Sequence, residues 1–234
     1  MTLAIFLPVY NEEQNLEINL KKIIKFLKNK KIRAKMIFIN DCSNDNSEKI
    51  LFILKKKYKI NYVTYSKGKS RRENLALTMN KTNADYLFFM DFDLATNLKH
   101  IPELLTILKK DADIVTGSRY LKKSKLKRET HRLIISKTYN WFMRFLFDSK
   151  IKDHQCGFKG FRKTVFKEIY QDAGYDETFK RGWFWDVEML VRAQKKGYKV
   201  LELPVEWVAG KKTTFNIKQE LKMIPHIFKL RLKL

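Results

Sequence analysis

The sequence predicts an α/β protein with a mixed, mainly parallel sheet flanked by helices. Two observations carry that prediction. Over the first 118 residues, short apolar runs alternate with helical patterns of about a dozen residues, which is the signature of βαβ units. Polar, chemistry-bearing residues follow those runs, where the carboxyl ends of parallel strands place a ligand site. Glycine and proline are scarce, at eight and four in 234 residues, and no linker or repeat is visible. One domain with at most a small appendage therefore accounts for the length.

The elements follow in order. Residues 3–9 (LAIFLPV) are continuously apolar and too short for a helix, so they read as a buried strand. A helical stretch runs to about Lys30, with Leu16, Leu20, Ile23, Ile24 and Leu27 on one face. Residues 36–40 (MIFIN) form the second strand, and a turn rich in Asn, Asp and Ser leads to a helix through Ile50, Leu51, Ile53 and Leu54. Residues 61–65 are a third strand, 71–81 a third helix and 86–90 (YLFFM) a fourth strand. A helix at 98–109 and a strand at 113–117 complete this half. Beyond it, 128–147 reads as a helix, 157–161 as a strand, 165–170 and 185–195 as helices, and 199–207 as one strand. The tail from residue 216 is amphipathic, and Pro225 is expected to kink or split it.

Composition narrows the function classes. Hydrophobic residues make up 44% and aromatics 13%, which excludes a disordered chain despite the 32% charged fraction. Forty-nine Lys and Arg against 25 acids give a formal charge of +24, so the partner is anionic: nucleic acid, a lipid surface or a phosphorylated substrate. No run of 18 apolar residues exists to span a bilayer, and the opening run lacks the basic flank of a signal peptide. Cys42 and Cys156 form no CxxC or zinc spacing and read as reduced thiols.

Four carboxyl-end loops converge on one edge. They carry Asn11-Glu12, Asp41, Lys67-Gly68-Lys69 and Asp91-Phe92-Asp93. Aspartates directly after a buried strand are costly to desolvate unless they bind something. Two carboxylates two residues apart can hold Mg²⁺ or Mn²⁺, with water and phosphate oxygens completing the shell. Such a metal acts as Lewis acid on a diphosphate leaving group.

Pro8-Val9-Tyr10-Asn11-Glu12, the loop from Asn40 to Asp45, and Asp91-x-Asp93 resemble the nucleotide-sugar half of family-two inverting glycosyltransferases with the Rossmann-like GT-A fold. Gly117-Ser118-Arg119, the run from Asp153 to Lys159, Trp185-Asp186-Val187-Glu188 and the run from Glu202 to Trp207 resemble the polyprenyl-phosphate branch, the dolichyl-phosphate glucose and mannose synthases. The match covers about residues 3–215. It implies one domain over 1–215, with a nucleotide-sugar half (1–118), an acceptor half (119–215) and a separate amphipathic tail at 216–234.

The resemblance also implies roles. Pro8, Tyr10, Asn11, Glu12 and Asp41 hold the nucleoside; Lys67, Gly68 and Lys69 lie near the donor phosphates; Asp91 and Asp93 hold diphosphate and metal. Arg119, Arg132 and Ser136 bind the acceptor phosphate. Asp93, Asp186, Glu188 and Asp153 are the candidate catalytic carboxylates, with Asp186 and Glu188 approaching the sugar. Residue chemistry agrees for the basic set: Arg132 and Ser136 are i and i+4 on one helix face, and a guanidinium fork suits phosphate oxygens. Asp186, lying within an aromatic segment, is an expensive place for an idle carboxylate.

Three departures from the family pattern stand out. Asn40-Asp41 replaces a pair of aspartates, Ala95 stands where many mannose synthases carry a metal-binding glutamine, and the loop after Gly68 lacks a second glycine. Asp93-Leu94-Ala95-Thr96 resembles the glucose branch, so UDP-glucose is the favoured donor and GDP-mannose the next. The expected reaction is single displacement with inversion.

A lipid acceptor accounts for the charge. Residues 128–147 and the tail mix aromatics or leucines with basic residues, as interfacial helices do. Anionic lipid adds roughly 1 kcal/mol per basic residue near the surface. The expectation is a peripheral protein on the cytoplasmic face of a membrane, alone or with a membrane-protein partner. Nucleic acid is not an expected partner: no helix-turn-helix, zinc or RNP signature occurs, and the lysines spread along most helices. The rival enzymatic reading is transfer to a soluble or protein hydroxyl, for which Arg119 and Arg132 would be dispensable.

Overall fold

The computed structural model describes residues 1–67, 72–210 and 221–234. Its strands are β1 (Leu3–Val9), β2 (Lys35–Asp41), β3 (Asn61–Tyr65), β4 (Tyr86–Met90), β5 (Ile114–Ser118), β6 (Lys125–Lys127), β7 (Phe158–Arg162), β8 (Val200–Pro204) and β9 (Glu206–Val208). Its helices are α1 (Leu16–Asn29), α2 (Ser47–Tyr58), α3 (Glu73–Lys81), α4 (Ile101–Lys110), α5 (Thr130–Phe147), α6 (Lys163–Ala173), α7 (Phe184–Lys195) and α8 (Ile224–Lys233). Seven strands form one sheet in the order β3-β2-β1-β4-β7-β5-β8, and β6 pairs with β9 in a separate ribbon. Within the sheet only β7 runs antiparallel, pairing Met90 with Phe158 and Thr116 with Lys159.

The apolar runs become the central strands because both their faces are covered. Ala4 to Leu7 and Leu87 to Phe89 have no exposed surface. On one side of the sheet, Leu16, Leu20 and Ile23 of α1, Leu51 and Leu54 of α2, and Leu104 and Leu108 of α4 build a core. On the other, Leu75 and Met79 of α3, Phe166 and Ile169 of α6, and Trp185 and Met189 of α7 build a second. Each such side chain contributes roughly 1.5–3 kcal/mol by leaving water. Gly160 lets α4 lie directly on β7, since a Cβ there would sit 2.7 Å from Leu104 Cδ2. A third cluster joins α5, α7 and α8 through Met143, Phe147, Val187, Val191, Met223 and Ile227.

Local expectations are refined at three places. The strand expected at 199–207 is two strands: Pro204 has no N–H to continue the ladder, and the chain turns so that β9 pairs with β6. Residue 221 is helical, 222–223 form a turn and α8 begins at Ile224, so Pro225 lies in the first turn of a new helix, where a missing N–H costs nothing. The third helix starts at Glu73, with 68–71 outside the described residues, as are 211–220 of the tail.

The loop before β7 is tied to two helices by His154. Its Nδ1 faces Asn140 Oδ1 at 2.9 Å and its Nε2 faces Ser149 Oγ at 2.9 Å, while Ser149 donates to Gln194 Oε1 at 2.7 Å. Burial disfavours the imidazolium, so the ring's pKa falls from 6.5 to about 4. The unfolded ring protonates near 6.5 and the folded one only near 4, so stability rises with pH across that window. Acidification should remove up to about 3 kcal/mol through this residue. Urea denaturation between about pH 7 and about pH 4 should show this loss, and His154→Gln should flatten the pH dependence.

Candidate active site

β1 lies between β2 and β4, and the chain leaves it towards β2, so a crevice opens beyond the carboxyl ends of β1 and β4. Loops from both sides of this switch point line it. Asn11 takes a left-handed backbone (φ 54°), and its N–H donates to Ser43 Oγ at 3.0 Å while its Oδ1 accepts from Asn44 N at 2.9 Å. Glu12 N donates to Ser47 Oγ at 2.9 Å, and Glu13 N to Asp45 Oδ2 at 3.1 Å. The β1–α1 and β2–α2 loops are thus laced into one wall. Tyr10, Asn11 and Glu12 are half-buried, and Pro8 sits within β1 opposite Ile39. Asp41 accepts from Asn74 Nδ2, and the Lys67 carbonyl accepts from the same amide at 3.3 Å. Gly68 and Lys69 lie outside the described residues.

Asp91 and Asp93 stand at the end of β4. Asp91 donates its N–H to Gly157 O at 2.9 Å, and its carboxylate lies over the bare face of that glycine. A Cβ on Gly157 would sit 1.9 Å from Asp91 Oδ2. Leu94, at φ 55°, turns the chain back so that Asp93 Oδ1 accepts from Ala95 N at 2.9 Å. Crowding by protein atoms, then the like charges of Asp91 and Glu12, push the Asp93 carboxyl up to about 6. The residue's outer surface is exposed, so the like charge is the part of that shift a bound cation would cancel. Among the described residues no three His, Cys, Asp or Glu side chains make a ready-built cation cage. Two mutually repelling carboxylates at an open edge fit a divalent ion whose other ligands come from diphosphate and water.

Behind Asp91 lies a buried ionic chain that the sequence reading did not foresee. Arg72 Nη2 reaches Asp91 Oδ1 at 3.3 Å and its Nε donates to Asp186 Oδ2 at 2.7 Å. Lys159 Nζ donates to Asp186 Oδ1 at 2.8 Å and to Cys156 O at 2.6 Å. Lys159 and Asp186 have no exposed surface. Burial works against the Arg72 cation, but Asp186 and Asp91 outweigh it and raise its pKa. Asp186, expected at the sugar, has both carboxylate oxygens taken by buried cations. Glu188 is likewise engaged, by Arg181 Nη1 at 3.1 Å and Arg192 Nε at 2.8 Å. Arg181 also forks onto Glu73 with bonds of 2.7 and 2.8 Å.

The basic station lies on the same edge. Arg119 follows β5, and Asp153 accepts its Nε at 2.7 Å, its Nη2 at 2.8 Å and its backbone N at 2.9 Å. Burial alone would raise the Asp153 carboxyl, but Arg119 outweighs it and holds it below the ordinary carboxylate value. Asp153 is fully buried, so it orients Arg119 instead of facing a reacting atom. Tyr120 OH donates to Ser136 Oγ at 2.6 Å, bringing α5 to Arg119, and Arg132 lies one turn before Ser136. Among the missed residues, Lys159 carried a signal, a lysine inside an apolar strand; Glu73 and Arg181, 108 residues apart, carried none.

Known proteins agree with this architecture. The family model for "Glycosyl transferase family 2" matches residues 4–170. The chain belongs to glycosyl transferase family 2. It is 29% identical to glycosyltransferase AglD of Haloferax volcanii over 93% of its own length but 35% of that protein's. It is 27% identical to the dolichyl-phosphate beta-glucosyltransferase of Saccharomyces cerevisiae (98% of this chain, 74% of that one). With the Dictyostelium discoideum enzyme of the same name the identity is 30% (88% and 66%). The chain thus spans about a third of AglD and roughly two thirds to three quarters of the glucosyltransferases. Glucosyl-3-phosphoglycerate synthase from Mycobacterium tuberculosis, solved with Mn²⁺, UDP and phosphoglyceric acid, superposes with a TM-score of 0.66 at 14% identity, covering 99% of this chain and 78% of that one. The mannosyltransferase PcManGT from Pyrobaculum calidifontis, solved with GDP-Man and Mn²⁺, gives 0.62 at 13%, covering 97% and 62%. These likenesses establish the GT-A fold, as the sequence resemblance implied.

Gly157→Ala tests the carboxylate placement. The added Cβ must push the Asp91 carboxylate aside, so Mn²⁺ binding with UDP, followed by calorimetry, should weaken about tenfold or more. Thermal stability should change far less than after loss of Asp186, which would take from buried Lys159 its carboxylate partner at about 3–5 kcal/mol.

Proposed function

We propose that this chain transfers glucose from UDP-glucose to the phosphate of a polyprenol of the dolichyl class, with inversion at the anomeric carbon. The observation that carries the reading is the juxtaposition, on one sheet edge, of a carboxylate station (Asp91, Asp93) and an arginine station (Arg119, Arg132, Ser136). A donor diphosphate with its metal suits the first, and an acceptor phosphate the second. Relatives named dolichyl-phosphate beta-glucosyltransferase support the donor sugar and the acceptor.

In this reading Tyr10, Asn11, Glu12 and Asp41 hold the nucleoside, and Asp91 and Asp93 hold a divalent ion, Mg²⁺ or Mn²⁺. That ion, when bound, neutralises charge developing on the departing UDP. An acceptor phosphate is already anionic at neutral pH, so its oxygen attacks the anomeric carbon without a general base. That agrees with Asp186, Glu188 and Asp153 serving as counter-ions to buried cations. Positioning and charge neutralisation lower the barrier. Incubation of UDP-glucose, GDP-mannose and a short polyprenyl phosphate should give an EDTA-sensitive, β-linked glucosyl lipid. An α-linked product would overturn the displacement mechanism, and transfer only to a hydroxyl acceptor would favour the rival reading.

The membrane enters through α5 and α8. No helix among the described residues is long and apolar enough to cross a bilayer. Yet α5 exposes Ile134, Trp141 and Phe145, the last at 75%, with the two rings stacked 5.9 Å apart. Phe228 and Leu232 lie exposed on α8, which shares a core with α5. Apolar stripes on neighbouring helices of a chain carrying +24 fit an anionic bilayer at the cytoplasmic face, where nucleotide sugars are supplied. Flotation with phosphatidylserine-containing vesicles should recover the protein, and Trp141→Ser with Phe145→Ser should cut recovery about tenfold or more. Undiminished flotation of the double variant would move the docking face elsewhere. Failure of the wild type to float would favour a membrane-protein partner.

A further inference from the structure

Arg128 lies between β6 and α5, in a position the acceptor motifs do not include. Its guanidinium carbon is 5.7 Å from the ring centre of Trp207, and that of Arg119 is 5.4 Å from the same ring. One indole therefore carries two guanidinium groups, with Arg132 one helical turn further along the chain. Contact with an aromatic ring occupies the flat face of a guanidinium and leaves its N–H edge to hydrogen-bond in plane. For Arg128 that requirement is unmet, since its Nε is buried and has no hydrogen-bond partner. The nearby carboxylate, Asp153, already spends both oxygens on Arg119. Burial, then Arg119 and less strongly Arg132, lower the pKa of Arg128, while Tyr120 and Asp153 act the other way. A buried N–H donor on a cation among like charges is what an anion with several acceptor oxygens satisfies.

We propose that Arg128 is a phosphate-binding residue of the acceptor site, donating its buried edge to a phosphate monoester that Arg119 also faces across Trp207. The assignment rests on the acceptor reading above and adds to it a residue that sets acceptor affinity without touching the donor. It requires no movement of Asp153, because the fork on Arg119 stays intact.

The test compares the wild type with Arg128→Ala, Arg128→Gln and Arg128→Lys. With UDP-glucose saturating, R128A should raise KM for a short polyprenyl phosphate about tenfold or more, the usual size for a lost charge-assisted bond. KM for UDP-glucose should stay within about twofold. R128Q, which keeps a planar group against Trp207, should behave like R128A, and R128K should recover only part of the affinity. Equal acceptor KM values in wild type and variants, or a parallel rise in both KM values, would overturn the assignment. Calorimetry with inorganic phosphate and with geranylgeranyl phosphate gives a readout independent of turnover. Binding of either that weakens in R128A and R128Q supports the site, and response to the prenyl ester alone identifies the lipid headgroup as its source. Binding indifferent to Arg128, or no binding by the wild type, overturns it. If the wild type binds prenyl phosphate through Arg128 yet transfers no sugar to it, the transfer reading fails while this site stands.

Discussion

The site depends on one buried carboxylate shared by two buried cations. Asp186 is enclosed in the first turn of α7, and its oxygens are taken by Arg72 from the start of α3 and Lys159 from the middle of β7. Removing Asp186 takes from Lys159 its carboxylate partner in the interior, at a cost of about 3–5 kcal/mol. The triad therefore holds three elements from distant parts of the chain in one relative position. Arg72 extends that constraint to Asp91, so the orientation of a residue at the open edge is set from inside the protein. Phe89 lies beneath both cations, its ring centre 4.9 Å from the Arg72 guanidinium and 5.6 Å from Lys159. The aromatic face gives the two positive groups a second favourable contact where water is absent.

The two ends of the site are built on opposite principles from the same materials. At the donor end, acids face outward and a cation stands behind one of them, so the open edge is left negative and attracts a metal. At the acceptor end a carboxylate stands behind a cation: Asp153 is wholly buried and forks onto Arg119, itself almost fully buried. Gly157 adjoins the donor end and begins the segment that continues as β7, while Asp153 and Cys156 lie just before it. That short run, Asp153 to Lys159, thus supplies the counter-ion for Arg119, the bare surface for the Asp91 carboxylate and a cation for Asp186. Its antiparallel insertion between β4 and β5 brings all three to one place.

Much of the fold was legible because buried parallel strands announce themselves as unbroken apolar runs, and YLFFM at β4 is wholly buried as that pattern requires. The positions of Asp91, Asp93, Arg119 and Ser136 were legible because each closes a strand or shares a helix face with another motif residue. What could not be read was pairing at long range. Asp186 was singled out for its cost in an aromatic segment, and that cost is real, but periodicity could not say that Arg72, 114 positions away, meets it. The break of the strand expected at 199–207 was missed for a related reason. A proline's effect depends on whether its missing N–H falls within a ladder or at an element's end, and only the register decides that.

α5 is two-sided. Ser136, Asn140, Met143 and Phe147 recur at helical spacing on its buried face, while Ile134, Trp141 and Phe145 recur on the exposed one. A helix needs one apolar stripe to pack against a core, and this helix spends part of its inner stripe on polar groups, Ser136 towards Tyr120 and Asn140 towards His154. Trp141, Phe142 and Phe145 are on the outside, opposite to the arrangement that folding alone favours. The inversion makes sense if the outer face is also buried in use. A bilayer against Trp141 and Phe145 would cover them, and the same helix would then present Ser136, and Arg132 a turn earlier, near the depth at which a lipid phosphate lies. In the proposed reading, the geometry that lets α5 hold the acceptor headgroup is thus also what leaves its aromatic face uncovered by protein.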